Sequence, residues 1–155
     1  MNLIYKLVDK FLMNDFSKII SKILNDSSKI ELTVFDVGCF QGNFSRSLQK
    51  EIKKKTNFFL FDPNPDLIIR DFQYKKLAFS NNKGIKKFYL NTFFPASGSS
   101  LNTIHVKDKL WNFTRKLITG NLNKNFKSFD VKTDTIDNFC NEQRIDFIDI
   151  LKIDT

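Results

Sequence analysis

The 155-residue sequence predicts an α/β fold with a mostly parallel sheet and helices on both faces. Three observations carry that expectation. Leu32-Thr33-Val34-Phe35-Asp36-Val37 is an apolar run that breaks at Gly38, turns, and restarts at Gly42 with a helical pattern. Asn57-Phe58-Phe59-Leu60-Phe61 is apolar without alternation, as in a parallel strand buried on both faces. Strand, helix and strand fall within about 30 residues, the length of one right-handed βαβ unit.

In chain order, Leu3, Ile4, Leu7, Val8, Phe11 and Leu12 recur at helical spacing. Asn14-Asp15 ends that helix and caps a second, in which Phe16, Ile19, Ile20, Ile23 and Leu24 form the stripe expected to pack on the sheet. Residues 1–28 are set apart as N-terminal helices, and residues 29–155 as the main domain. The first strand runs from about Glu31 to Val37, and the helix after Gly42 points Phe44, Leu48 and Ile52 at the core. After the second strand, Asn64 is placed to cap a short helix with Pro65 at its first position. Residues 75–80 read as a third strand, Asn81-Asn82-Lys83-Gly84 as a turn, and Ile85, Phe88 and Leu90 as an antiparallel strand. Residues 91–127 have weak periodicity and contain Ser97-Gly98-Ser99-Ser100, the single His105 and the single Trp111. Such a long insertion reads as a substrate-side segment or lid. Phe129 to Thr133 alternates as a strand, Thr135 caps a short helix, and Ile145 to Thr155 reads as a final buried strand. A chain ending on an uncovered strand is an aggregation hazard, so a C-terminal truncation is expected.

Composition narrows the function. The formal charge of +8 invites a nucleic-acid reading, but only four of the 25 basic residues are Arg, the residue with the bidentate fork suited to phosphates and bases. The one dense run, Lys50 with Lys53-Lys54-Lys55, sits where a helix C-terminus favours cations. Cys39 and Cys140 have no second cysteine at metal-ligand spacing, so reduced thiols, a cytoplasmic location and no metal are expected. No apolar run reaches the roughly 20 residues of a membrane span, and charges at Lys6, Asp9 and Lys10 interrupt any signal-peptide core.

A strand, a glycine turn and a helix N-terminus form a corner that holds nucleotide-type ligands. A dinucleotide corner carries a middle glycine that lets the pyrophosphate approach. Here Cys39-Phe40-Gln41 separates Gly38 from Gly42, which disfavours pyrophosphate. S-adenosylmethionine has no phosphate. Backbone N–H groups near Gly42 and Asn43 suit its carboxylate, Asp36 its cationic amino-acid end, and Asp62, closing the second strand, its ribose hydroxyls.

The motifs resemble those of the FkbM-family methyltransferases. Phe35 to Phe44 is similar to the family's first motif, Asp-Val-Gly-Ala-Asn-x-Gly, with Cys39-Phe40 in place of Ala-Asn. Phe59 to Pro65 resembles the second, with Asp62 where Glu is commoner. Leu77 to Gly84 resembles the third-strand segment, and Thr133 to Asp137 and Ile148 to Asp154 the closing motifs. The resemblance spans about residues 32–155 and implies a Rossmann-like class I methyltransferase fold. It implies S-adenosylmethionine as cofactor and a small-molecule or carbohydrate oxygen as acceptor. Carried onto this chain, it gives Asp36, Gly38, Gly42, Asn43, Asp62, Phe79 and Ser80 as cofactor-binding residues. Asp154 is either the catalytic acid–base group or a strand-end cap, and His105 either the base or an exposed side chain. The rival readings are a nicotinamide- or nucleotide-sugar-dependent enzyme on the same sheet, and a basic RNA-binding module.

Overall fold

A computed structural model of the chain describes residues 16–92, 99–101 and 126–154. A helix over residues 16–26, α1, leads into β1 (Glu31–Val37), α2 (Asn43–Glu51), β2 (Lys55–Phe61) and β3 (Gln73–Lys75). Then come β4 (Ala78–Phe79), β5 (Gly84–Asn91), β6 (Phe126–Asp134), α3 (Ile136–Gln143) and β7 (Ile150–Ile153). Four of the strands form a sheet in the order β3-β2-β1-β7, every pair parallel. The architecture is α/β.

Alternation along β1 and β2 splits the core in two. Val34, Phe58 and Leu60 point to one face, where Phe44 and Leu48 of α2 cover them and Ile20 of α1 packs alongside. Phe35, Val37, Phe59 and Phe61 point to the other, against Phe139 of α3. The continuous apolar run of β2 is therefore buried on both faces, as its lack of alternation predicts. On the second face the rings interlock: Phe139 stands edge-on to Phe61 with centroids 4.9 Å apart, and Phe61 lies 4.7 Å from Phe79.

A second, three-stranded sheet has the order β4-β6-β5, with β5 antiparallel to β6, as expected for the strand after the Asn81–Gly84 turn. Thr135 caps α3 as the sequence predicts, its hydroxyl accepting the Asn138 N–H at 3.0 Å.

Four expectations are corrected. The third strand is two: β3 pairs with β2, whereas β4 joins the second sheet beside β6, so the chain changes sheets between Lys75 and Ala78. The helix at Asn64 is a turn. Its side chain accepts the Asp66 N–H at 3.0 Å, and this local bond competes with a helix over so few residues. The stripe on α1 is rotated: Ser17, Ser21 and Leu24 are buried, while Phe16, Ile19 and Ile23 are exposed. Serines four apart let the helix seat on a narrow face, and the Ser21 hydroxyl is satisfied by the Lys18 carbonyl at 2.9 Å. Finally, β7 is short and half-exposed, because β1 flanks it on one side only and α3 leaves Leu151 and Ile153 open. The first helix, with Leu3 to Leu12, lies outside the described residues, as do Pro95 to Gly98, His105 and Trp111.

Among the described residues no helix is long and apolar enough to cross a membrane, and no group of three or more His, Cys, Asp or Glu is placed to hold a metal ion.

Candidate functional site

The parallel sheet brings the C-terminal tips of β1, β2 and β7 together, which is where an open α/β sheet leaves a ligand crevice. The turn from β1 to α2 forms its floor. Gly38 has φ +69° and Gly42 has φ +73°, both in the left-handed region. A Cβ on Gly38 would lie 1.8 Å from the Asp154 carbonyl oxygen, so only glycine fits between the two strand tips. At Gly42 a Cβ would lie 3.0 Å from a methyl of Leu60, a tight but movable neighbour.

Phe40 also has a positive φ, +46°, a strained conformation for a residue with a side chain. Its N–H donates to Asp62 Oδ2 at 2.9 Å, and the Asn64 N–H donates to Asp62 Oδ1 at 2.9 Å. Asp62 thus ties the glycine turn to the turn after β2. Burial raises its carboxyl above the ordinary aspartate range, while the Asn64 and Phe40 N–H groups and the Lys152 ammonium pull it down. A carboxylate has about four lone-pair positions, and these two N–H groups take two of them. Cys39 faces the core instead of the crevice, and burial pushes its thiol far above the reactive range.

Backbone donors in the turn are mostly committed. Gly38 and Cys39 N–H both reach the Phe61 carbonyl, at 2.9 and 3.1 Å, and Gly42 N–H donates to the Cys39 carbonyl at 2.7 Å. Gly42 therefore serves the site through its conformation. The first intrahelical bond of α2 is Arg46 N–H to the Gly42 carbonyl. The N–H groups of Asn43, Phe44 and Ser45 belong to the unpaired first turn, which has no side-chain cap and no acidic residue.

Asp36 is fully buried. Ser45 Oγ donates to its Oδ2 at 2.8 Å, and Lys152 Nζ lies 3.0 Å from its Oδ1. Asp36 and Lys152 are opposite each other in the β1–β7 register. The ammonium also donates to the Gly38 carbonyl at 3.2 Å and stands 3.6 Å from Asp154 Oδ2. Asp154 N–H donates to the Val37 carbonyl at 3.0 Å, and its side chain is 69% exposed at the crevice mouth.

Six of the nine predicted site residues lie at this corner. Asp36, Gly38, Gly42, Asn43, Asp62 and Asp154 lie at the strand tips and the turn, whereas Phe79 packs on the buried Phe61 in the core. Ser80 turns toward the second sheet, where its N–H donates to the Asp134 carbonyl at 2.8 Å and its hydroxyl receives Lys86. His105 lies outside the described residues. Lys152 and Ser45 are the site residues that motif reading passed over. The signal for Lys152 was its place two residues before Asp154, hence on the same strand face.

Formally, three carboxylates (Asp36, Asp62 and Asp154) surround the Lys152 ammonium, and Arg46, bonded to the Gln41 carbonyl of the turn, is neutralised by Asp71, so the corner is acidic although the chain is basic. No protein family, curated protein or solved structure matches the chain.

Proposed function

We propose that the chain is a Rossmann-like class I domain that binds S-adenosylmethionine and transfers its methyl group to an oxygen of a small-molecule or carbohydrate acceptor. The observation that carries this reading is the acidic charge of the corner. A pyrophosphate dinucleotide would bring anionic charge against Asp36, Asp62 and Asp154, whereas S-adenosylmethionine is a net cation through its sulfonium and ammonium groups. The Phe40 side chain stands where a dinucleotide turn needs a glycine, which supports the same choice.

When bound, the cofactor supplies an electrophilic methyl group on sulfur. What the chain contributes is placement. The Asp62 carboxylate, fixed by two backbone N–H groups, keeps acceptor positions for the ribose hydroxyls. Phe61, fully buried and packed against Phe79, anchors the strand tip from which Asp62 follows. Asp36, engaged by Ser45 and Lys152, shapes the floor, and Asp154 is the corner carboxylate most open to solvent.

Calorimetric titration with S-adenosylhomocysteine tests the reading. Saturable heat with S-adenosylhomocysteine and none with NAD is the expected result. Heat with NAD alone would move the corner to the oxidoreductase class.

A further inference from the structure

We propose that Lys152 and Asp154 together read an α-amino-acid zwitterion, the ammonium of Lys152 taking the ligand's α-carboxylate and the carboxylate of Asp154 its α-ammonium. The inference rests on the cofactor reading above and assigns one end of that ligand to named side chains.

The Lys152 ammonium is held in place but not saturated. It has three donors, and one is directed at the Gly38 carbonyl, 3.2 Å away. A second faces Asp36 Oδ1, its buried charge partner 3.0 Å away. Asp154 Oδ2, at 3.6 Å, is beyond hydrogen-bond reach. The neighbouring groups therefore fix the cation while leaving its third donor unspent. Its side chain is 16% exposed, so it keeps some access to solvent beside the open carboxylate of Asp154.

Asp154 completes the geometry. Its backbone is pinned to Val37 and its carbonyl oxygen packs over Gly38, so the Cα is fixed while the carboxylate stands open to solvent. A zwitterion entering here opens one loose ion pair and makes two, each charge meeting its opposite, with no net charge buried. An isolated carboxylate or an isolated amine would leave one of the two residues facing a like charge or none. This arrangement gives Asp154 a binding role in place of proton transfer.

The test compares S-adenosylhomocysteine with 5′-methylthioadenosine, which has the same nucleoside and thioether but no amino-acid group. Both are titrated calorimetrically into the 155-residue protein and its K152M and D154N variants. The wild type is expected to bind S-adenosylhomocysteine at least tenfold more tightly than methylthioadenosine. Each variant should lose most of that advantage while its methylthioadenosine affinity changes less than twofold. If the two affinities fall together, Lys152 is a structural residue and the proposal is overturned. The same holds if the wild type binds both ligands equally, and in that case the cofactor reading survives. Silence from both ligands would overturn the cofactor reading and this proposal with it. D154N alters an exposed side chain, so it remains informative if K152M, by leaving Asp36 buried without its counter-ion, fails to fold.

Discussion

At Gly38 the absence of a single carbon decides whether the corner closes. Alanine there combines a left-handed φ with a Cβ 1.8 Å from the Asp154 carbonyl oxygen, so the β1 and β7 tips would have to separate. G38A is expected to cost about 3 kcal/mol or more in urea unfolding. G42A, whose Cβ meets a flexible Leu60 methyl, should cost only about 1–2 kcal/mol. Asp62 is the second residue on which the corner depends. In D62N one oxygen still accepts an N–H, but the new amide group points a donor at the other, for an expected loss of about 1–3 kcal/mol. That loss has a pH signature. Because burial raises the folded Asp62 carboxyl, the unfolded chain releases its proton first, and the group withdraws stability as pH rises from the ordinary aspartate range through the folded value. The advantage of the wild type over D62N should therefore narrow between acidic and neutral pH. These two positions were legible in the sequence, since a glycine after an apolar run and an aspartate before proline announce turns. The role of Asp62 as a clamp on a strained Phe40 was not. It depends on a contact across 22 positions of chain that no local pattern encodes.

Secondary-structure elements show where pattern reading succeeds and where tertiary contacts override it. β1 and β2 were visible because both faces are apolar, and α3 because Thr135 and Phe139 supply its cap and its anchor. Phe139 touches the rings of Phe35, Phe59, Phe61 and Phe79, so F139A should cost about 3–5 kcal/mol and T135A about 1 kcal/mol, both measured by urea unfolding. By contrast, the buried face of α1 was misread because counting apolar residues ignores size. Ser17 and Ser21 face inward and Ile19 and Ile23 outward. The lysine run after α2 also has uses its charge does not reveal. Lys54 turns inward to donate to the Leu24 carbonyl at 2.8 Å, closing the end of α1, and Lys55 pairs with Glu31 at 2.9 Å. The division of the expected third strand between two sheets lay beyond reach, because Lys75-Lys76-Leu77-Ala78 carries no break signal at the point where the chain leaves β2 for β6.

For the molecule as a whole, the distribution of charge matters more than its sum. A formal +8 is spread over exposed lysines, several of them paired with carboxylates, as Lys83 is with Glu142 and Lys87 with Asp130 at 3.0 Å. The strand tips carry the opposite sign. A basic surface around an acidic crevice fits a cationic small ligand at the crevice better than a phosphate chain. Any generic RNA binding by the surface should be weak and fall steeply with salt. Amide chemical-shift mapping tests this account most directly, with S-adenosylhomocysteine titrated into the isotope-labelled chain. Saturable shifts centred on Gly38, Gly42, Asn43, Asp62 and Asp154 are predicted, with α3 and the exposed lysines unmoved. Shifts at those positions with NAD but not with S-adenosylhomocysteine would contradict it.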